Sequence, residues 1–498
     1  MPELIYKLIQ MNQLREWIII DPDADVPVYL QITNAFIHNI MNGRLRTGLK
    51  LSGSRSVAGM LNINRMTMVA AYDELQAQGW IEMIPRKGTY IRKDLPELRP
   101  KRISESTKVF SMPAKPMFAL DAKKILPYGS TGFPDPARII INDGFPDARL
   151  APTDILMRNM RRLSLLKPYR KYLMYGGPGG TPILRETLAE VLRDTRGIPV
   201  NAENVLITRG AQMALYIATS LLVKPGDDMI VGTPGYFSAN RTFEQLGAKL
   251  NRVPVDDEGI NIESIETVCR KKKIKMIYVI PHHHHPTTVT LTPERRIRLL
   301  ELALKYKFAI IEDDYDYDFH YASKPMMPMA SLDRQGSVIY IGTLTKTLAP
   351  AFRIGFMTGP ENFISLAANF RRFIDHQGDS LMENAIAALY RDGTISRHIK
   401  KTVKIYKERR DNFCSLLQDE LGSNIIFKIP DGGMSVWTRF LKHNLVKLSL
   451  QAFTKNLIIS NGQDYYTGST KNNGLRLGFA SLNFDEQRKA IEILKSCM

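Results

Sequence analysis

Cysteine is scarce in this chain of 498 residues: Cys269, Cys414 and Cys497 stand far apart, with neither metal nor redox spacing. An odd, scattered set argues against a disulfide framework and fits a reducing compartment, so the three thiols read as structural. The chain also lacks any unbroken apolar run approaching about twenty residues, the length a membrane-spanning helix needs. Its start, Met1-Pro2-Glu3-Leu4, lacks the basic-then-apolar layout of a signal peptide, and the expected location is the cytoplasm. There are no internal repeats and no low-complexity stretch beyond His282 to His285. Acidic residues are in deficit, 50 against 68 basic ones, which leaves a net charge of +18. That balance points to a polyanion such as nucleic acid, although charge alone also serves solubility.

With 44% hydrophobic and 24% charged residues, the chain reads as a globular protein, long enough for two or more domains. Three regions are expected. Residues 1–93, with a core from about 26, read as a small helical module. Pro27 to Asn42 carries apolar residues at helical spacing, and short helices are expected from Ser54 to about Leu61 and from Asn64 to Gln78. In the last of these, Val69, Tyr72 and Leu75 are read as one buried face. A two-stranded wing follows, Trp80–Ile84 and Thr89–Ile91 around Pro85-Arg86-Lys87-Gly88. Residues 94–136 hold Pro96, Pro100, Pro113, Pro116, Pro127 and Pro134 and read as a linker. From 137 to 498, short apolar strands such as Asn204–Thr208, Asp228–Val231 and Lys275–Ile280 alternate with helices. That alternation predicts an α/β domain with a mainly parallel sheet.

Two segments of the third region carry chemistry. Ile310-Ile311-Glu312-Asp313-Asp314-Tyr315 is an apolar strand that ends in carboxylates and a phenol. Gly342-Thr343-Leu344-Thr345-Lys346-Thr347-Leu348 follows, with Arg353 seven residues beyond the lysine. Either residue alone, Lys346 or Asp313, reads as an ordinary loop lysine or turn acid. Together, in this order, they supply what pyridoxal 5'-phosphate needs: an amine for its aldehyde, an acid for its ring nitrogen, and donors for its phosphate and ring hydroxyl.

The segment Leu51-Ser52-Gly53-Ser54-Arg55-Ser56-Val57-Ala58, with Leu61 to Leu75 after it, resembles the GntR family of winged helix-turn-helix regulators over about Pro27 to Ile91. The resemblance implies a double-stranded DNA operator as partner. Arg55 and Arg65 would read bases, Thr67 and Arg44 would contact phosphates, and Arg86 and Lys87 in the wing would enter the minor groove. From Val26 to Lys93 the basic residues Arg44, Arg46, Lys50, Arg55, Arg65, Arg86, Lys87, Arg92 and Lys93 face only Asp73, Glu74 and Glu82.

From about Ala137 onward the chain resembles fold-type I aminotransferases, with a smaller C-terminal α+β subdomain expected at about 395–498. The pairing with a GntR head is the layout of MocR-type regulators. The resemblance makes Lys346 the lysine of the internal aldimine, Asp313 the partner of the pyridine nitrogen, with Asp314 as fallback, and Tyr315 the partner of the ring hydroxyl. Gly210, Ala211 and Gln212 would cradle the phosphate at a helix start, completed by Thr343 and Arg353. Tyr236 would stack on the ring, and His283 matches a family histidine beside it. Arg476 would grip an amino compound's carboxylate. Tyr175 would reach the neighbouring subunit's phosphate, which implies a homodimer with shared sites.

The sequence also departs from the pattern. His283-His284-His285-Pro286-Thr287-Thr288 replaces an aromatic with His285 and a glycine with Thr288, which puts the loop beside the ring hydroxyl in question. No metal site is read there, because neighbours in an extended segment face opposite ways. The function implied is a transcription regulator that senses pyridoxal phosphate, or an amino compound joined to it. The rival is a working aminotransferase with a DNA-binding head, since the groups for a half-reaction are nominally present.

Overall fold

The computed structural model describes residues 14–21, 24, 26–95, 117–119, 137–321, 326–466 and 473–498. Apart from Asp94, Leu95 and residues 117–119, the linker expected at 94–136 lies outside the described residues. Contacts divide the chain into two compact units, 1–119 and 120–498.

In the first unit, helices span Val28–Met41, Ser54–Leu61 and Arg65–Ala77, followed by β1 (Ile81–Ile84) and β2 (Gly88–Ile91). The wing is antiparallel, with Ile81 opposite Ile91 and Ile84 opposite Gly88. The turn between the second and third helices follows from its asparagines. Asn62 takes a left-handed conformation (φ 55°) that ends one helix, and the Asn64 side chain accepts from Met66 N at 2.8 Å to start the next. Burial on the third helix runs through Met68, Ala71, Tyr72 and Leu75 rather than Val69, which is only half-buried. The stripe at i, i+3, i+4 and i+7 is wider than the expected row. It packs Tyr72 edge-on against Phe36, with ring centroids 5.9 Å apart.

The second unit contains β3 (Ile139–Ile140), β4 (Val205–Thr208), β5 (Asp228–Thr233), β6 (Lys249–Asp256), β7 (Gly259–Ile260), β8 (Ile274–Val279), β9 (Ala309–Asp314), β10 (Val338–Thr343) and β11 (Gly355–Thr358). The main sheet runs β4-β11-β10-β9-β8-β5-β6-β7. It is parallel from β10 through β6, while β11 lies antiparallel between β10 and β4, and β7 folds back on β6. Strand alternation sends Val205 and Ile207 into one core with helices Pro182–Arg196 and Pro293–Tyr306. It sends Leu206 into a second core with helices Ala211–Leu222 and Glu361–Asp375. Both faces are therefore covered, as a mainly parallel sheet requires.

The smaller layer contains β12 (Ile425–Phe427), β13 (Ser435–Phe440), β14 (Leu457–Ile458) and β15 (Gly474–Gly478). β12, β13 and β15 form an antiparallel sheet, and β14 pairs in parallel with β3, Leu457 beside Ile139. The layer expected at 395–498 thus recruits residues 139–141 from the start of the unit, with Ile141 buried in its core. This return of the chain carries residues 142–147 towards the strand ends.

Candidate cofactor site and DNA-reading face

Register brings the expected phosphate groups together. Thr343 on β10 lies opposite Gly355 on β11, and Gly355 lies opposite Thr208 at the end of β4. The chain then turns at Gly210 into helix Ala211–Leu222, whose first amides have no partner within the helix. Gly210 adopts φ 78° and ψ 173°, a region open essentially to glycine alone. A Cβ on Gly210 would lie 2.9 Å from Arg353 Nη2, and one on Gly355 would lie 2.7 Å from Gly210 Cα. Arg353 donates through Nη2 to Arg209 O at 3.0 Å, and Thr343 Oγ1 sits 2.8 Å from Thr345 Oγ1. Gln212 turns its amide to Thr242 Oγ1, leaving only its backbone to the cradle. A helix start, a guanidinium and a hydroxyl stand together at one edge, the kinds of donor that a phosphate takes.

On the neighbouring strand ends, Lys346 Nζ donates to Gly144 O at 2.7 Å and lies 4.4 Å from the Phe145 ring centroid and 5.7 Å from that of Tyr315. Burial and the nearby Arg476 guanidinium push the amine down to about 8. Asp313 Oδ2 accepts from Tyr278 at 2.7 Å, while Oδ1 is buried with no hydrogen-bond partner among the described residues. Burial, aided by Asp314 and Asp316, raises this carboxyl to about 7 despite the Tyr278 hydrogen bond. Such an orphaned acceptor is costly unless a donor arrives, and a protonated ring nitrogen is such a donor. Asp314 points to the other face, as strand alternation requires, towards Tyr340 OH at 2.8 Å and His282 Nδ1 at 3.4 Å. Although burial opposes it, His282, Arg196 and Tyr340 hold Asp314 at about 2. The Tyr315 hydroxyl donates to His283 O at 2.8 Å and accepts from Arg476 Nη2 at 2.9 Å.

The four buried histidines find four different partners. These are Met326 O for His282, Asp316 for His283, Pro234 O for His284 and Asp143 for His285. The His283 ring turns away to Asp316 at 2.9 Å and stacks on His320, so this residue meets Tyr315 through its carbonyl rather than its imidazole. The ring of His285, which stands where the pattern has an aromatic, lies 4.9 Å from that of Tyr236, and burial, Arg476 and Lys346 all press its pKa down, against the pull of Asp143.

Arg476 is buried at 2% exposure. Nε donates to Asp143 O at 3.1 Å and Nη1 to Pro286 O at 3.2 Å, and Nε is 3.7 Å from Asp143 Oδ1. Tyr175 is 87% exposed, with its ring 6.1 Å from that of His376. Sequence reasoning missed Tyr278, Asp143, Gly144, Phe145 and Tyr465. The turn-rich string Asn142-Asp143-Gly144-Phe145-Pro146 was the available signal for three of them, and Asn142 Oδ1 caps it by accepting from Gly144 N and Phe145 N.

In the first unit, Arg55 and Arg65 are exposed in the first turns of the second and third helices, and Thr67 is half-buried two residues after Arg65. Arg44 is exposed, with its guanidinium 5.7 Å from the Trp17 ring. Arg86 and Lys87 are exposed at the wing tip, Arg86 with φ 64°.

Sheet order, lysine, unpaired acid and phosphate cradle define a fold-type I pyridoxal-phosphate domain, borne on a chain with a winged helix-turn-helix head. Comparison with known proteins agrees. Residues 147–494 match the family "Aminotransferase class I and II", and residues 28–91 match "Bacterial regulatory proteins, gntR family". The probable rhizopine catabolism regulatory protein MocR of Rhizobium meliloti is 29% identical over 96% of this chain and 95% of its own. Aromatic-amino-acid aminotransferase 1 of Thermococcus litoralis is 30% identical over 78% and 93%. The structure of Pyrococcus horikoshii kynurenine aminotransferase, at 30% identity, superposes with a TM-score of 0.68 over 72% of this chain and 90% of that one. The chain belongs to the class I and II aminotransferase family and, through its GntR head, to the MocR-type transcription regulators. Its head binds DNA, and its cofactor is pyridoxal phosphate. Among the described residues no helix is long and apolar enough to cross a membrane.

Proposed function

We propose that this regulator senses pyridoxal phosphate, or an amino compound joined to it, at Lys346, and that the occupied and empty states bind the operator differently. The observation that carries this reading is Asp313 Oδ1, buried without a partner among the described residues on the strand beside the one leading to Lys346. When bound, the cofactor supplies an aldehyde that captures amines and a ring that draws electrons from them. Lys346 would hold it, Asp313 would accept a hydrogen bond from the protonated ring nitrogen, and Tyr315 would meet the ring hydroxyl. Tyr236 covers the ring face, and Gly210, Ala211, Gln212, Thr343 and Arg353 bind the phosphate. His283 orients Tyr315 through its carbonyl.

The reading extends to a cytoplasmic homodimer in which Tyr175, exposed on its own protomer, serves the neighbour's site. Head, linker and effector domain are divided at about 93 and 137. On DNA, Arg55 and Arg65 read bases, Thr67 and Arg44 hold phosphates, and Arg86 and Lys87 enter the minor groove. A ligand alters operator binding only through a difference in its affinity for the two arrangements. The visible spectrum tests the cofactor role. Wild type is expected to show a yellow band that borohydride bleaches while it fixes the cofactor covalently to Lys346, and Lys346→Ala to show no such fixation. A colourless protein that pyridoxal phosphate cannot reconstitute would refute the reading. Steady transfer between an amino acid and a keto acid would instead establish turnover as an aminotransferase.

A further inference from the structure

Arg476 is the group that a ligand's carboxylate would seek, and it already has an anion beside it. Asp143 Oδ1 stands 3.7 Å from Arg476 Nε, and the backbone carbonyl of Asp143 accepts from the same nitrogen at 3.1 Å. The other two guanidinium nitrogens are engaged by Pro286 O and the Tyr315 hydroxyl. Asp143 Oδ2 is 2.5 Å from His285 Nε2, and Oδ1 accepts from Tyr465 OH at 3.1 Å. The next carbonyl along, Gly144 O, accepts from Lys346 Nζ at 2.7 Å. One dipeptide therefore touches both the amine that would hold the cofactor and the arginine that would hold a carboxylate. Burial opposes the charge on Asp143, but His285 and Arg476 keep it ionised.

The charge of Arg476 is thus already answered. A second carboxylate entering here would lie against Asp143, and two like charges sharing a buried site are strongly disfavoured. It would also have to displace hydrogen bonds that the guanidinium already makes. We propose that Asp143 occupies the carboxylate subsite beside Lys346 and so selects primary amines whose amino carbon bears no carboxylate. The inference rests on the reading of Lys346 as the residue that holds pyridoxal phosphate. In the exchange, the ligand nitrogen forms a bond to the cofactor's carbonyl carbon as the bond from Nζ breaks. The two hydrogens lost by the ligand nitrogen are regained by Nζ, and no oxidant or reductant takes part.

The test uses the full chain loaded with pyridoxal phosphate, titrated with 2-phenylethylamine and with L-phenylalanine, which differ only by the carboxylate. Binding is followed by visible absorption. The amine is expected to bind wild type about tenfold more tightly or better, and Asp143→Asn and Asp143→Ser to shift that ratio towards phenylalanine by about tenfold. In wild type, 3-phenylpropanoate, a carboxylate without the amine, is expected not to compete with 2-phenylethylamine, a result that needs no variant to fold. Equal affinities in wild type, an unchanged ratio in the variants, or competition by 3-phenylpropanoate would each overturn the assignment while leaving the cofactor reading intact. A wild-type protein on which borohydride fixes no pyridoxal phosphate to Lys346 would overturn both, and does so before any amine is added.

Discussion

Burial draws the Lys346 amine down and the Asp313 carboxyl up, so both titrate nearer neutrality than free side chains do, and a cationic ring beside Asp313 would favour its ionised form. A lysine must be neutral to attack an aldehyde, and burial beside Arg476 brings this one to about 8 from an ordinary 10.5. Capture of pyridoxal phosphate by the stripped protein should therefore accelerate about tenfold per pH unit below 8 and level off above it. Stopped-flow absorbance measures this, and a rate that keeps climbing through pH 10 would show an unperturbed amine. The residues legible in the sequence were those whose spacing along one segment encodes their chemistry. Lys346 with Arg353 is one case, and Asp313 on the opposite strand face from Asp314 is another. Asp143 was not legible, because its partners Arg476, Tyr465 and His285 lie 333, 322 and 142 residues away along the chain. Nor was the direction of the His283 ring, since an irregular loop has no period from which side-chain directions follow.

At the scale of elements, the strand ends and the turn into helix Ala211–Leu222 carry the site. The sequence gives the strand-turn-helix order plainly, because apolar strands ending in polar residues recur with helical segments between them. It does not give the order of strands across the sheet, so the closeness of Gly355 to Gly210 had no signal. Nor did it show that 139–141 would pair with β14, a contact between opposite ends of the unit. Gly210→Ala forces a side chain into a glycine-only conformation and against Arg353 Nη2. It should cost about 1–3 kcal/mol of stability, read by denaturant unfolding, and weaken retention of the phosphate. A variant with unchanged unfolding and cofactor affinity would mean that this turn is not the cradle. In the head, the pattern at 68, 71, 72 and 75 shows the limit of reading one face from three residues. Ala71 is small enough to pass for neutral in sequence, and it is fully buried.

At the scale of the whole molecule, a basic head and a pyridoxal-phosphate domain occupy separate units of one chain. The head's surplus of Arg and Lys makes its DNA affinity depend on salt, because each phosphate it neutralises releases counterions. Replacing both Arg86 and Lys87 with Ala should lower the slope of log affinity against log salt by about 2 and weaken binding to all sequences alike. A slope that does not move would place the wing off the DNA. The coupling between the units is measured most directly with the full chain and a duplex it selects from a random-sequence pool. Its affinity is compared with and without pyridoxal phosphate, in wild type and in Lys346→Ala. The cofactor is expected to change the affinity of wild type and to leave that of Lys346→Ala unchanged. An identical response in both proteins, or none in wild type, would contradict it.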